Sequence, residues 1–222
     1  MRDSGTPNLL TPIQQDSTPT LIARQLREAI ALGHFVPGQQ LQEAALAGSL
    51  GVGRAPLREA MQRLTQEGLL VSHRNRGLFV IELDDAVIRD TYLARGAVER
   101  ASIENLIGGG RQATAVELLT YVEQMEMYRG DPSSAELSTL DMSFHERMVE
   151  LSGSPQLLRM HRTLLIQVRM CLTHMEATYT SIDDRVVEHR NLVEAIVSGD
   201  AARAVELLAE HMQDGLTRLL EV

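Results

Sequence analysis

The chain has 222 residues, of which 44% are hydrophobic and 23% charged, and its formal net charge is −9. That length accommodates one large domain or two of ordinary size. No run approaches about 20 consecutive apolar residues, which excludes a helical membrane span. A single cysteine, Cys171, excludes an intramolecular disulfide. Only 3% of the residues are aromatic and none is tryptophan, so the core must be built from aliphatic side chains that favour helices.

Charge is distributed unevenly along the chain. Residues 1–80 hold eight arginines against six acidic residues, whereas residues 81–222 hold 13 arginines against 24 acidic residues. This asymmetry predicts two domains with different partners, and it predicts a polyanion as the partner of the first domain. Residues 1–17 are rich in turn-forming residues and contain no apolar segment of signal-peptide length. We therefore expect a disordered tail there and a cytoplasmic protein.

The segment 18–82 has the pattern of a winged helix-turn-helix. Apolar residues at helical spacing predict a first helix that ends at Gly33, a second over about 41–50, and a third that begins near Ala55-Pro56. Gly51-Val52-Gly53 forms the turn between the second and third helices. Two short β-like runs then flank Arg74-Asn75-Arg76-Gly77 and predict a hairpin.

From residue 85 to residue 222 the pattern is helical throughout. Amphipathic segments near 85–107, 112–129, 134–152, 155–178, 182–198 and 201–220 are separated by short Gly-containing breaks. Short connections between amphipathic helices predict an antiparallel bundle of about six helices. The expected fold is therefore mainly α, with an N-terminal winged helix-turn-helix and a C-terminal helical bundle.

Basic residues mark a candidate DNA-binding surface in the first domain. Arg54 and Arg58 lie one turn apart at the start of the third helix, and Arg74 and Arg76 lie on the predicted hairpin. The second helix of a helix-turn-helix enters the major groove, where the planar guanidinium group binds guanine or phosphate. The alternative is an ordinary solvated helix face on which Arg63 and Glu67 are surface charges.

The helical half contains a candidate metal site. Asp141 and His145 are four residues apart beside one apolar stripe, and His189 and His211 lie on the stripes of two other helices. Buried imidazole and carboxylate groups are costly unless satisfied, and one divalent metal satisfies all four. This ligand set suits Zn, with Ni, Mn and Fe(II) as alternatives. The competing interpretation is a set of hydrogen-bonded core histidines.

The first domain resembles the GntR family of bacterial transcription regulators. The resemblance runs through Pro37-Gly38, Leu46-Ala47, Val52-x-Arg54-x-Pro56-x-Arg58-Glu59-Ala60, Glu67-Gly68-Leu69 and Asn75-Arg76-Gly77. It implies that Arg54 and Arg58 contact DNA and that His73–Gly77 is the wing, and we place Arg63 on the flank as a phosphate contact. Gly53 and Ala44 depart from the family, which usually has Ser or Thr and often Arg there. The predicted DNA-binding residues are Arg54, Ala55, Pro56, Arg58, Arg63, His73, Arg74, Asn75, Arg76 and Gly77.

The second half is similar to the FCD ligand-binding domain of the FadR subfamily, in its six-helix, VanR-like form. Arg95-x3-Glu99, Asp141-x2-Phe144-His145, Glu188-His189 and His211 carry this resemblance. It implies that Asp141, His145, His189 and His211 bind a metal, and that Arg95 lies near the effector cavity. Arg95 pairs either with an effector carboxylate or with Glu99. We also place Arg169 and His174 among the effector-binding candidates, with a surface position as the alternative for His174.

Together these features predict a homodimeric, DNA-binding transcription regulator that is not an enzyme. We expect a pseudo-palindromic operator and a small organic acid, bound at the metal site, that controls operator affinity. Two alternatives remain open: a regulator that responds to the metal ion itself, and a metal-dependent hydrolase or lyase.

Overall fold

The computed structural model describes residues 16–128, 135–174 and 182–221. Its N-terminal part contains three helices and three short strands. In chain order these are α1 (Thr18–Ala31), β1 (Gln40–Leu41), α2 (Glu43–Leu50), α3 (Arg54–Gln66), β2 (Leu70–His73) and β3 (Gly77–Val80). The tail predicted over 1–17 lies outside the described residues except for Asp16 and Ser17. Ser17 caps α1, since its hydroxyl accepts a hydrogen bond from the Thr20 amide.

The three strands form one antiparallel sheet in the order β1-β3-β2. Strands β2 and β3 make the predicted hairpin, with His73 paired to Gly77 at its tip. Asn75 and Gly77 adopt positive φ angles of 60° and 95° there, which the tight turn requires. The sequence pattern did not reveal β1, because a two-residue strand is too short to show alternation.

The C-terminal part is helical throughout its described residues. It comprises α4 (Asp85–Gly108), a 3₁₀ helix (Gln112–Leu118), α5 (Leu119–Glu126), α6 (Ala135–Leu151), α7 (Pro155–His174), α8 (Ile182–Ser198) and α9 (Ala201–Leu220). The mainly α fold with its winged helix-turn-helix is confirmed. One predicted helix, 112–129, is instead a 3₁₀ helix followed by a short α-helix. The predicted extension of the next helix to residue 178 lies outside the described residues.

Two hydrophobic cores hold the structure together. The first packs α1, α3 and the sheet around Leu57, Met61 and Leu64, and the second fills the helical bundle around Phe144 and Met148. Met170 of α7 is fully buried in the first core, although Val168 and Cys171 of the same helix belong to the core of the bundle. None of the described helices is long and apolar enough to cross a membrane.

Candidate metal centre and DNA-binding surface

The four predicted metal ligands meet at one point inside the bundle. Asp141 and His145 come from α6, one turn apart on the same side, while α8 provides His189 and α9 provides His211. One ligand atom of each residue lies within 4.8 Å of those of the other three. Asp141, His145 and His189 are buried, and the His211 side chain is 11% exposed. Three imidazoles with one carboxylate form a donor set typical of first-row transition metals.

The outer nitrogen of each histidine has its own acceptor. His145 Nδ1 lies 2.7 Å from Glu99 Oε2, His211 Nδ1 lies 3.0 Å from Glu188 Oε2, and His189 Nδ1 lies 2.7 Å from the Arg185 carbonyl oxygen. Carboxylates and carbonyls only accept hydrogen bonds, so each Nδ1 carries the proton. The unprotonated Nε2 atoms therefore carry the lone pairs, as in metal-binding histidines whose other nitrogen donates to an outer partner.

The Nε2 atoms are close together and poorly satisfied by protein groups. His145 Nε2 and His211 Nε2 are 3.1 Å apart, a short approach for two lone pairs. His189 Nε2 is buried and lies 3.0 Å from Asp141 Oδ1, yet no hydrogen bond joins them. A cation among these atoms would satisfy all of them together. The residues present therefore fit a divalent metal ion.

Electrostatics keeps the cluster in the protonation states that bind metals. Burial, reinforced by the charge of Arg95, lowers the pKa of His145 to about 3. Burial also lowers the pKa of His211. For Asp141 burial acts to raise the pKa, but the positive charge of Arg185 holds it well below its usual value. At neutral pH these two imidazoles are therefore neutral and the carboxylate is ionised, as metal coordination requires.

Glu99 links this cluster to two further buried side chains. Its Oε1 accepts hydrogen bonds from Arg95 Nε at 2.6 Å and His161 Nε2 at 2.8 Å, while Oε2 faces His145. Arg95 is 2% exposed, and its buried NH2 group has no hydrogen-bond partner among the described residues. Pairing with Glu99 therefore leaves one guanidinium donor of Arg95 available. The sequence offered Glu99 only as a partner of Arg95 and left His161 unassigned, since their contacts join three different helices.

A second outer residue, Arg185, was missed from the sequence altogether. It is 2% exposed, and its guanidinium NH2 lies 2.9 Å from Asp141 Oδ1. The signal available was its position four residues before His189, which places both on one face of α8. Arg185 thus compensates the charge of the only carboxylate among the four predicted ligands.

Within the part of the chain that the structure describes, neither of the other two predicted effector-binding residues, Arg169 and His174, is seen at the cluster of four predicted metal ligands. Arg169 is half-buried and lines a cleft of about 160 Å³ between the end of α1 and helices α6 and α7. That lining includes none of the four predicted ligands. The side chain of His174 lies outside the part of the chain that the structure describes.

The predicted DNA-binding arginines lie on an exposed face of the first domain. Arg54 is the first residue of α3, and Arg58 follows one turn later with 63% of its side chain exposed. Arg58 Nε donates to Glu43 Oε2 on α2 at 2.6 Å, which orients the guanidinium group. Gly53 caps α3 without a side-chain hydrogen bond, whereas Ala55 is exposed and Pro56 half-buried in its first turn.

The predicted wing projects from the same domain as α3, the predicted recognition helix. All residues from 73 to 77 are exposed, and Arg74 makes no ion pair within the described residues. The Arg76 guanidinium lies 5.3 Å from the centre of the Phe79 ring, and the His73 ring meets Phe79 edge-on at 4.9 Å. Contacts with Phe79 therefore hold two of the predicted wing residues in place.

Arg63 occupies a different position from the other arginines of α3. Its guanidinium bonds to Glu59 at 2.7 Å and to the Thr20 hydroxyl at 2.9 Å, so it joins α3 to α1. Glu67 is held instead by Arg27 through two hydrogen bonds of 2.9 and 2.7 Å. Arg63 and Glu67 are therefore not free surface charges, since each is bonded to another side chain of the domain.

The first domain is a winged helix with exposed arginines, and the second is a helical domain with a buried cluster of metal-ligand residues. This combination is typical of two-domain DNA-binding regulators. Residues 20–80 match the bacterial regulatory proteins of the gntR family, and residues 90–214 match the FCD domain. The chain therefore belongs to the GntR family of bacterial transcription regulators and carries an FCD domain.

Individual relatives agree with this assignment. The chain is 29% identical over 196 residues to the Nta operon transcriptional regulator of Aminobacter aminovorans, a match that covers 85% of this chain and 88% of that protein. It is 27% identical to the transcriptional repressor GlaR of Escherichia coli K12, covering 85% of this chain and 90% of the relative. These family members are transcription regulators, so the enzyme alternative considered from the sequence is set aside.

Solved structures show the same architecture. A GntR-family regulator from Rhodococcus sp. RHA1 superimposes with a TM-score of 0.69 at 26% identity, covering 93% of this chain and 99% of that one. McbR/YncC of E. coli gives a TM-score of 0.75 at 19% identity, again with 93% and 99% coverage. The second likeness establishes the fold alone.

Proposed function

We propose that this DNA-binding regulator is a cytoplasmic repressor whose operator affinity is controlled by a small carboxylate bound at a divalent metal site. Zn is the first choice of metal, with Ni, Mn and Fe as alternatives. The observation that carries the proposal is the convergence of three histidine Nε2 atoms on Asp141 while every Nδ1 is bonded to an acceptor. Relatives that are named repressors, GlaR among them, support the sign of regulation.

Asp141, His145, His189 and His211 would hold the cation in this proposal. When bound, the metal supplies coordination positions that an oxygen of the effector can complete. The protein's own contribution is to fix the ligands in place. Glu99, Glu188 and the Arg185 carbonyl keep each imidazole in the tautomer that presents Nε2, and Arg185 balances the charge of Asp141.

Arg95 supports a carboxylate as the effector class. Its guanidinium is buried close to the predicted metal ligands, because Glu99 bonds to both Arg95 and His145. The NH2 group that Glu99 leaves unused can donate to an anionic oxygen, and such charge-assisted bonds are the stronger kind. A small acid would thus be held at one end by Arg95.

Dimerisation is the second part of the proposal, and a groove between α4 and α9 supports it. The groove has a volume of about 610 Å³ and a mostly apolar lining that includes Tyr92, Leu93, Ala97 and Met212. Leu93 is 73% exposed at this apolar groove, and contiguous exposed apolar surface marks interaction sites. The occupant we propose is the same face of a second copy.

The charges along α4 favour this pairing. In an antiparallel two-fold arrangement centred on Gly96-Ala97, Arg89 of one copy lies opposite Glu104 of the other, and Leu93 lies opposite the aliphatic part of the Arg100 side chain. Leu93→Glu should therefore convert a dimer to a monomer in analytical ultracentrifugation. Val116→Glu, at a residue 55% exposed on the 3₁₀ helix, is the matched control. A dimer that persists in Leu93→Glu would exclude this face.

On DNA, Arg54 and Arg58 would read the major groove, and the wing would contact the flanking backbone or minor groove. Two such domains in a dimer would bind a pseudo-palindromic operator. We assign Arg63 to the flank of the binding surface, since its guanidinium already bonds to Glu59 and Thr20.

The decisive experiment combines metal analysis with native mass spectrometry of the purified protein, which identifies the ion and any co-purifying acid. An operator selected from random duplexes then allows DNA affinity to be titrated with that acid. His189→Ala should bind the operator normally but lose the response to the acid, whereas His34→Ala, at an exposed histidine, should retain it. A response that survives His189→Ala rejects the metal site, and a response to metal without any acid indicates a metal sensor.

A further inference from the structure

One helix, α7, connects the predicted metal site to the end of the recognition helix. At its N-terminal half, His161 is fully buried and its Nε2 lies 2.8 Å from Glu99, the same carboxylate that holds His145. Six residues later, Gln167 contacts the DNA-binding domain. The two contacts are about 9 Å apart along a helix that rises 1.5 Å per residue.

Gln167 bonds to elements of both domains at once. Its Nε2 donates to the Gly68 carbonyl oxygen at 3.2 Å, and its Oε1 lies 3.0 Å from the Thr91 hydroxyl on α4. Gly68 has a φ of +73° and lies in the turn that follows α3. The Gln167 side chain therefore joins the end of the recognition helix to the first helix of the bundle.

Apolar contacts make the same connection. Met170 is fully buried within the core formed by α1, α3 and the sheet, and Ile166 packs against that core. Val168 and Cys171, on other sides of the same turns, belong to the core of the bundle. A helix packed into two cores cannot shift relative to one of them without disturbing the other.

We infer that α7 transmits occupancy of the metal site to the DNA-binding domain, with His161 and Gln167 as its two positioning residues. This inference rests on the proposed metal site. A change at His145 alters the carboxylate that also holds His161, and α7 carries the displacement to Gly68 and hence to the orientation of α3. The coupling needs a contiguous packed route between two sites, and α7 provides one.

The test uses the full-length protein with Zn²⁺ alone as the probe. Hydrogen–deuterium exchange of the peptide spanning residues 64–72 is compared with and without Zn²⁺, and Zn²⁺ affinity is measured separately by competition with a chromophoric chelator. In the unmodified protein Zn²⁺ should change exchange in this peptide. Gln167→Ala should keep Zn²⁺ affinity within about twofold but reduce the exchange change at least severalfold.

Two further variants sharpen the test. Gln167→Glu retains an oxygen towards Thr91 but removes the donor to Gly68, so it should behave like Gln167→Ala. Gln156→Ala makes the same substitution at an exposed position of the same helix and should leave the coupling intact. Equal Zn²⁺ effects in Gln167→Ala and the unmodified protein would overturn the inference, as would Zn²⁺ binding without any effect on residues 64–72. Absence of Zn²⁺ binding in the unmodified protein would instead refute the metal site itself.

Discussion

His145 and His211 direct their Nε2 atoms at each other across 3.1 Å, while Glu99 and Glu188 hold their opposite ring nitrogens. The two carboxylates come from α4 and α8, so the orientation of each imidazole depends on a helix other than its own. The proposed metal site therefore extends beyond its four ligands, and its outer residues can be tested individually.

Substitution of Glu188 should weaken metal binding without removing a ligand. Glu188→Ala deletes the acceptor of His211 Nδ1, which frees the ring to rotate and to change tautomer. Loss of such an outer partner typically costs about 10–100-fold in metal affinity. A chelator competition assay with Zn²⁺ measures the effect, and Glu194→Ala, at an exposed position on the same helix, is the control. Equal affinities in both variants would show that Glu188 has no part in the site.

Arg185→Ala should destabilise the metal-free protein more than the metal-bound one. Without Arg185 the buried carboxylate of Asp141 loses its compensating charge, a loss that costs about 3–5 kcal/mol in buried pairs. A bound cation would restore the compensation, so Zn²⁺ should raise the thermal midpoint of the variant more than that of the unmodified protein. Unfolding is followed by circular dichroism in EDTA and in Zn²⁺, with Arg203→Ala, at an exposed arginine, as the control. Equal Zn²⁺ stabilisation of both proteins would contradict this.

Arg58→Ala should weaken specific operator binding by about 1–3 kcal/mol and relax the sequence preference at one base pair. Glu43 already orients this guanidinium, so little freedom is lost when it binds DNA. Fluorescence anisotropy with the selected operator and its single-base variants measures both effects. An unchanged affinity would remove Arg58 from the set of contacts.

Arg74→Ala should act differently, because this arginine is exposed and, in the proposed binding mode, meets phosphate or the minor groove. We expect weaker binding to all sequences. We also expect the slope of log K against the logarithm of the salt concentration to become shallower by about one. The measurement is a series of binding isotherms between about 50 and 200 mM salt, a range over which the affinity for DNA falls steeply. Altered base preference with an unchanged salt slope would assign Arg74 to base reading instead.

Cys171 should resist alkylation in the native protein. The side chain is 1% exposed, and burial raises the pKa of its thiol to about 12. A raised thiol pKa means that the reactive thiolate is scarce at pH 8, roughly one molecule in ten thousand. Its reaction with iodoacetamide should therefore be slow at pH 8 and reach the rate of an ordinary thiol only in denaturant. Mass spectrometry measures the rate of alkylation. A rapid reaction of the native protein would contradict the burial of the Cys171 thiol.

Much of this architecture could be predicted from local patterns. Helical spacing located the long helices, and the Arg74–Gly77 connection located the hairpin, because both depend on neighbours in sequence. The meeting of Asp141, His145, His189 and His211 followed from inward-facing positions on three helices, and family resemblance named the same four. Strand β1 was missed because two residues show no period.

The remaining features depend on distances between segments far apart in sequence. Glu99, His161 and Arg185 look like ordinary members of their helices until the bundle closes around them. Arg63 has Glu67 four residues later, yet its partners are Glu59 and a threonine on α1. Propensity and spacing do not decide such contacts, since tertiary packing determines which of several available partners a charged side chain takes.

Met170 has a consequence for the interchange of parts between relatives. Its side chain completes the apolar interior of a domain whose other strands and helices end some ninety residues earlier. A fragment covering residues 18–82 alone would lack that side chain, and so would a chimera whose second half has a small residue in its place. Such an exchange would leave a gap where Met170 sits, at a cost comparable to a large-to-small core substitution of about 2–5 kcal/mol. The stability of the DNA-binding domain therefore depends on a side chain supplied by the other half of the chain.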